Sequence, residues 1–278
     1  MKFSNIFFYE LISIYFLIIY NEFIKLRLNN RFNDYIYYFN DKNKSMNSIL
    51  KLKKVVYSVI LGNYDEIKEI NIQKGYDYFL FSDVYNNTFI KTNWTILPIP
   101  EEVKNLNITS VKKQRYIKLH PHLYFKNYDL SIYIDATFSI TGDLDIFLLR
   151  SLSSKYYIYS LEHPLRNNIT EETFAVVRAF KEKNSTSKII RERYMKENFP
   201  DNSGLIESCL IIRKHNEKNC INLMNDWFEE IKNYSHRDQL SFNFIIWKKK
   251  YSIKYINKNF ALQYFNQNLI HREKLVYK

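Results

Sequence analysis

Residues 128–145, YDLSIYIDATFSITGDLD, contain a short apolar strand that ends at an acid. Apolar residues alternate with Ser and Tyr along 130–134, and turn-forming residues flank this run, which predicts a strand in the middle of a sheet. Ligands of open α/β sheets bind just beyond the carboxyl ends of strands. Asp135 is therefore a candidate ligand for a divalent cation that in turn holds phosphate oxygens. A turn residue or a helix cap is the alternative interpretation of Asp135.

A second acidic string lies close by. Residues 143–145 spell Asp-x-Asp, which is associated with metal and nucleotide-sugar binding, whereas Asp135 has Thr137 where a second acid would stand. Gly142 precedes the string and an apolar run follows it, as expected for a helix N-cap with an acid in the first turn. We therefore predict that Asp143 and Asp145 are structural.

The chain of 278 residues, 46% of them hydrophobic, is long enough and apolar enough to bury the core of one domain. Its formal net charge is +12. No zinc-finger spacing, RNA-binding signature or long basic run accompanies this charge, so we expect no nucleic acid partner. A positive protein also attracts an anionic sugar nucleotide, which is an alternative explanation of the charge. Cys209 and Cys220 have neither metal spacing nor a disulfide pattern, and Cys209 is predicted to be core.

The sequence predicts four segments. An apolar run at 6–20 predicts an N-terminal helix over 1–28, which is either a signal anchor or an amphipathic packing helix. A polar linker is expected over 29–54, a catalytic domain over 55–250 and a C-terminal tail over 251–278. We expect a cytoplasmic protein, with membrane association depending on the N-terminal segment.

The predicted domain opens like many nucleotide-binding α/β domains, with a buried strand at 55–61 followed by a turn that contains Gly62 and Tyr64. A second strand is predicted at 76–82 and a short third strand at 94–97. Asp83 follows the second strand, where its carboxylate can accept hydrogen bonds from a base or ribose or serve the turn. Tyr64 and Asp83 are therefore the candidate nucleotide-binding residues.

A predicted helix with four basic residues precedes the central strand. Positions 111, 115 and 118 share one helical face, so at least one basic residue lies near the core. Arg115 and Lys118 are candidates to reach a diphosphate, and a solvated basic face is the alternative.

A further strand at 156–161 leads into a loop with Glu162, His163 and Arg166. Pro164 ends the strand and leaves an acid, an imidazole and a guanidinium together on this loop. These three side chains are candidate substrate ligands.

Two scaffold helices are predicted next, over 171–183 and 188–198, from apolar spacing at Phe174, Val177 and Phe180 and at Ile189, Ile190 and Tyr194.

The strand at 204–213 carries Glu207 in an otherwise apolar run, where a carboxylate needs a partner or a ligand. Arg213 is the candidate partner. A helix is predicted from about 220 to 232, and Asp238 is positioned to cap a helix that runs to Lys249.

Together these pieces resemble the TOD/MUCI glycosyltransferase-like domain family over about residues 55–245. The matching strings are Arg115-x-x-Lys118 with Pro121-His122, YDLSIYID at 128–135, Glu162-His163-x-x-Arg166, Glu207 through Arg213, Trp227, and RDQLSF at 237–242.

The resemblance implies a glycosyltransferase A-type fold, a single α/β domain with a mixed central sheet flanked by helices. It implies transfer from a nucleotide-sugar donor to a glycan or polysaccharide acceptor, as in polysaccharide biosynthesis. Asp135 then stands where the family's metal-binding acid is expected, with Mn²⁺ or Mg²⁺ as the cation. Asp238 or Glu207 would orient or deprotonate the acceptor hydroxyl, and Arg237 and Gln239 would bind sugar hydroxyls or phosphate.

Two other functions are weighed. The missing second acid motivates a non-catalytic module that binds nucleotide sugars. Some plant relatives have been described as ceramidases, but the sequence has no zinc-ligand pair at helical spacing and no Gly-x-Ser-x-Gly elbow for an amidase. In the tail, His271 is a candidate metal ligand that closes the site over bound donor, and a frayed cationic terminus is the alternative.

Overall fold

The structure, a computed structural model, describes residues 46–62, 65–83 and 92–267. The chain divides into two units, Met1–Ile49 and Leu50–Lys278. In the first unit residues 46–49 are described and are helical. The predicted N-terminal helix, Tyr64 and His271 lie outside the described residues. No helix in the described part of the chain has the length and apolarity needed to cross a membrane.

The second unit is built on a seven-stranded mixed sheet in the order β3-β2-β1-β4-β7-β6-β8, with β5 and β9 as a separate antiparallel pair. The strands are β1 Lys54–Ile60, β2 Tyr76–Ser82, β3 Thr95–Leu97, β4 Leu130–Ile134, β5 Phe138–Ile140, β6 Ile158–Glu162, β7 Ile206–Arg213, β8 Lys254–Ile256 and β9 Phe265–Gln267.

Helices cover both faces of this sheet. They are α1 Glu101–Lys104, α2 Ser110–Leu119, α3 Pro121–Tyr124, α4 Leu144–Ser151, α5 Ile169–Arg178, α6 Asn184–Lys196, α7 Lys218–Asn233, α8 Phe242–Lys249 and α9 Lys258–Ala261, with a 3-10 helix at Asp238–Leu240. The predicted fold class, an α/β domain with a mixed central sheet flanked by helices, is confirmed.

Strand direction places the site. β1 pairs in parallel with β2 and β4, whereas β7 lies antiparallel between β4 and β6. The carboxyl ends of β4 and β6 therefore share one edge of the sheet with the amino end of β7. All residues of β1 and β4 are buried, because both faces of these central strands are covered.

Side-chain caps fix the starts of four of the described helices, α2, α4, α5 and α9. The Thr109 hydroxyl accepts from the N–H of Lys112 at the start of α2, and the Asn168 amide accepts from Glu171 at the start of α5. Asp143 caps α4 by accepting from Ile146, 2.9 Å away. The structural interpretation of the Asp-x-Asp string is thus confirmed; its second acid, Asp145, binds the Lys54 ammonium at 3.0 Å.

The predicted packing of the two scaffold helices is wrong in part. Phe174, Phe180 and Ile189 are 49%, 97% and 55% exposed. Helix α5 ends at Arg178, so the spacing that put Phe180 on a buried face does not continue to it; its φ is 55°. The residues of α5 that are buried are Ile169, Glu172, Thr173 and Val176.

The sheet also extends past the predicted domain boundary at residue 250. β8 pairs in parallel with β6, and β9 pairs with β5. Residues up to 267 therefore belong to the folded domain, and a tail begins no earlier than 268.

Candidate active site

The seam between β4 and β7 holds the centre of the site. Asp135 directly follows β4, and its N–H donates to the carbonyl of Cys209 at 2.8 Å. Ile134 faces Leu210 in the ladder, which sets Ser208 and Glu207 of β7 at the same edge. Cys209 is buried, as predicted.

Lys118 reaches this seam from the last turn of α2. Its ammonium is 2.7 Å from Asp238 Oδ2, 3.3 Å from Ser208 Oγ and 3.8 Å from Asp135 Oδ1. The Lys118 side chain is 1% exposed. The prediction that a basic residue of this helix faces the core is confirmed. We call Arg115, Lys118, Asp135, Ser208 and Asp238 the Lys118 cluster.

Asp238 is fixed from several sides. It lies in the 3-10 helix, where its carbonyl accepts from the Trp227 indole at 3.0 Å. Oδ2 also lies 3.2 Å from Arg115 Nε, and Oδ1 accepts from the N–H of Gln239 at 3.0 Å. The predicted capping role is wrong, because α8 starts at Phe242 with Ser241 as its N-cap residue.

The electrostatics of Asp238 follow from these contacts. Burial opposes ionisation, but the charges of Arg115 and Lys118 outweigh burial and hold the pKa of the Asp238 carboxyl well below its usual range. A carboxylate in this state stays ionised and is a weak proton acceptor at neutral pH.

Asp135 is the accessible acid of the cluster, with 36% of its side chain exposed. The Tyr133 hydroxyl donates to Asp135 Oδ1 at 2.7 Å and accepts from the Gln114 amide at 2.9 Å. Burial, followed by the charge of Asp135, raises the pKa of Tyr133 far above its ordinary value. Tyr133 therefore stays protonated and keeps one carboxylate oxygen oriented.

Glu207 is paired with Lys258, not with Arg213 as predicted. Lys258 Nζ lies 2.6 Å from Glu207 Oε2, and Gln267 donates to Oε1 at 3.2 Å. Arg213 lies at the far end of β7, where its guanidinium bonds the Tyr57 hydroxyl and contacts Met224 Sδ. The strand spans the sheet, so its two ends face opposite edges.

The loop after β6 is organised by His163. Its Nδ1 accepts from the N–H groups of Leu165 and Arg166 at 3.2 and 3.0 Å, and burial lowers its pKa. Arg166 Nε in turn donates to Glu172 at 2.6 Å. A cleft of about 510 Å³ opens over this loop, lined by Glu162, His163, Pro164, Leu165, Arg166, Asn167, Glu171, Gly204, Leu205 and Tyr255. The three predicted ligands of this loop thus line one cleft.

The RDQLSF segment joins this cleft to the Lys118 cluster. Gln239 Nε2 donates to the carbonyl of Ile206 at 3.0 Å, next to Leu205 of the cleft wall. Arg237 is partly exposed, and its Nε is buried without a hydrogen-bond partner among the described residues. A guanidinium whose N–H groups are not all bonded within the fold is a donor for an anion that reaches the partly exposed side chain.

Asp83 occupies the turn after β2, where Oδ2 accepts from the N–H of Gly62 at 2.7 Å. This contact agrees with the turn interpretation and leaves the base or ribose role a prediction.

The described side chains do not fit a resident divalent cation. Among these residues no group of three or more His, Cys, Asp or Glu side chains could hold a metal ion. Asp135 offers a single carboxylate, and a buried ammonium lies 3.8 Å from it. The roles of Asp135 and His271 as metal ligands stay predictions.

Sequence reasoning missed Tyr133, Ser208 and Lys258. Tyr133 lies two residues before Asp135 on one face of a strand, which is a local signal that could have found it. Ser208 reaches the site through the pairing of β7, and Lys258 reaches it through the position of α9. No spacing in the sequence predicts that pairing or that position.

Acidic and basic side chains gather at one edge of this mixed sheet, beyond the carboxyl ends of β4 and β6. The protein therefore belongs to the class of α/β proteins that bind ligands at this edge. Within this class, the chain belongs to the TOD1/MUCI70, glycosyltransferase-like domain family, whose model matches residues 38–277. The resemblance seen in the sequence is thereby confirmed.

No curated protein matches the chain. Among solved structures, it is similar to the apo structure of WbbM, a bifunctional glycosyltransferase, at 12% identity and a TM-score of 0.44, covering 74% of this chain and 39% of that one. It is also similar to apo mouse xyloside xylosyltransferase 1, at 8% identity and a TM-score of 0.43, covering 73% and 85%. The chain thus spans well under half the length of WbbM.

Proposed function

We propose that this protein transfers a sugar from a nucleotide-sugar donor to a hydroxyl of a glycan acceptor. The observation that carries the proposal is the Lys118 cluster, where α2, the 3-10 helix and the end of β4 bring two acids and two bases to the carboxyl edge of the sheet. A site of this kind binds an anionic ligand and stabilises the negative charge that develops on a leaving diphosphate.

The donor's diphosphate is assigned to the basic side of the cluster. Arg115 and Lys118 supply fixed positive charge, and Arg237 offers a guanidinium whose Nε has no hydrogen-bond partner among the described residues. Negative charge accumulates there as the bond between the anomeric carbon and the diphosphate oxygen breaks. The nucleoside diphosphate leaves with the electron pair.

The acceptor is assigned to the 510 Å³ cleft, whose walls carry Glu162, Asn167 and the Tyr255 ring. Polar groups beside an aromatic ring suit sugar hydroxyls and the apolar face of a sugar. Asp135 is the accessible carboxylate of the cluster, so we assign it to take the proton of the acceptor O–H as the acceptor oxygen attacks the anomeric carbon. Asp238, which is bound on both oxygens, instead holds Lys118 and Arg115 in place.

The test is a panel of uridine, guanosine, adenosine and cytidine nucleotide sugars, measured by thermal shift and by release of nucleoside diphosphate. One donor should stabilise the protein and turn over. Asp135→Asn should then lower turnover by about 100-fold or more while the protein stays folded. The matched control is Asp77→Asn, because Asp77 is an exposed acid near the amino end of β2. Unchanged turnover in Asp135→Asn contradicts the assignment.

A module that binds nucleotide sugars without turnover is the second candidate. It is favoured by one observation: Asp238 and Glu207, the two acids predicted to act on the acceptor, are both engaged in ion pairs. Stabilisation by a donor with no release of nucleoside diphosphate, across a panel of glycan acceptors, would support this candidate over transfer.

A further inference from the structure

We infer that the Lys118 ammonium stands in this site where a divalent cation is expected, so that the protein binds nucleoside diphosphates without a metal. The inference rests on the proposed function and adds to it the way in which the donor's charge is balanced.

The geometry of Lys118 is that of a cation bridging two carboxylates. Its Nζ is 2.7 Å from Asp238 and 3.8 Å from Asp135, with Ser208 Oγ at 3.3 Å and the Tyr133 ring centroid at 4.7 Å. A metal ion that bound Asp135 would lie within a few ångströms of this buried ammonium and be repelled by it. Lys118 contacts residues of β4, β7 and the 3-10 helix, so moving its ammonium out of the site would break several contacts at once.

The charge of the site points the same way. Arg115, Lys118 and Arg237 carry three positive charges against two on Asp135 and Asp238, so the surplus is positive before any ligand binds. All three bases act on the Asp238 carboxyl and help to lower its pKa, which shows that they share one electrostatic environment. A positive surplus attracts a diphosphate and disfavours a dication.

The direct contact is assigned to Arg237. The Lys118 side chain is 1% exposed and that of Arg115 is 15% exposed, so both act mainly through their field. Arg237 is partly exposed, and its buried Nε has no partner among the described residues. Its partly exposed guanidinium is therefore the group that we assign to bind a phosphate oxygen.

The experiment is calorimetric titration of UDP, GDP, ADP and CDP into the full chain, once with EDTA and once with MnCl₂. We expect one nucleotide to bind with a dissociation constant that differs by less than about twofold between the two buffers. Arg237→Met should raise that constant about tenfold. The matched control, Arg178→Met on the exposed end of α5, should not change it.

Asp135→Asn separates the two interpretations by the sign of its effect. If Asp135 holds a metal, the variant loses nucleotide affinity. If Lys118 is the resident cation, the variant removes a negative charge next to the diphosphate and affinity stays equal or rises. The variant keeps the shape of a partly exposed side chain, so folding is preserved.

The inference would be overturned if the nucleotide bound at least tenfold more tightly with MnCl₂ than with EDTA and Asp135→Asn bound it more weakly than the parent protein. The proposed function would remain intact. Absence of binding by every nucleotide in both buffers would overturn the donor chemistry itself, and the inference with it.

Discussion

At the scale of single residues, the Lys118–Asp238 pair is the most consequential contact. Both side chains are almost fully buried, at 1% and 3% exposure, and Arg115 adds a second cation to the same carboxylate oxygen. Removing two charges from water costs several kcal/mol per ion, and their attraction offsets this cost only while both remain. The pair therefore holds the site in place, and we expect substitution of either residue alone to destabilise the fold.

Asp238→Asn should lower the free energy of unfolding by about 3–5 kcal/mol, because Arg115 loses its carboxylate partner and the buried Lys118 keeps only the more distant Asp135. Urea unfolding monitored by circular dichroism measures this. Glu101→Gln is the control, since it removes an exposed ion pair with Lys104, for which at most about 1 kcal/mol is expected. An Asp238→Asn protein as stable as its parent would show that the carboxylate charge is dispensable.

Residue patterns in the sequence predicted what is local and missed what is distant. Alternation along 130–134 predicted β4 and its terminal acid, and helical spacing predicted that at least one basic residue of α2 turns inward; both signals span fewer than ten residues. The partner of Glu207 was missed because Lys258 lies 51 positions away, on a segment predicted to be a tail. Pairings at this separation depend on strand order, which periodicity does not encode.

At the scale of elements, the segment from β8 to β9 is locked to the domain at Gly142. The N–H groups of Thr141 and Gly142 both donate to the carbonyl of Tyr264 at 2.9 Å. A Cβ on Gly142 would lie 2.8 Å from the Cα of Tyr264, closer than atoms can approach. The glycine is needed so that two backbones can touch.

Gly142→Ala should therefore destabilise the protein by about 1–3 kcal/mol through forced separation of these backbones. Thermal unfolding measures the change, with Ser139→Ala on the exposed face of β5 as the control. An unchanged melting temperature would mean that the contact at Tyr264 is looser than described.

The end of the chain supplies a second prediction at this scale. Deleting residues 268–278 leaves every described strand and helix intact, so the shortened chain should fold. If His271 closes over bound donor, the deletion should raise the donor dissociation constant about tenfold. Equal donor affinity in the shortened and full-length chains would contradict the closing role.

At the scale of the whole molecule, a second set of titratable groups lies away from the Lys118 cluster, near Arg213. Burial, followed by neighbouring positive charge, lowers the pKa of both His120 and His122 to about 4, and burial also lowers that of His215. Arg213 is fully buried there and disfavours protonation of each of these imidazoles. The fold thus holds three neutral histidines around a fixed cation.

Stability should consequently fall with acid in a defined window. The pKa of His120 and His122 is depressed in the fold, so their contribution is complete above their ordinary value of 6.5 and is lost as pH falls toward about 4. Asp238 adds a further loss only below its ordinary value of 3.8. Urea midpoints measured across this range check the trend, and His122→Asn should make the decline shallower. A flat profile above pH 4 would contradict it.

The antiparallel seam between β4 and β7 also bears on how the molecule is assembled. Strands β1 to β4 come from residues 54–134, and β6 to β8 come from 158–256, so each half of the sheet is built from its own stretch of chain. Among the described strands, the two halves pair only at the seam, where Ile134 meets Leu210 across 76 positions. Long-range closures of this kind are late and slow events in folding. Because Asp135 and Ser208 flank that ladder, we expect the site to form only when the two halves dock, so that nucleotide binding reports completion of folding.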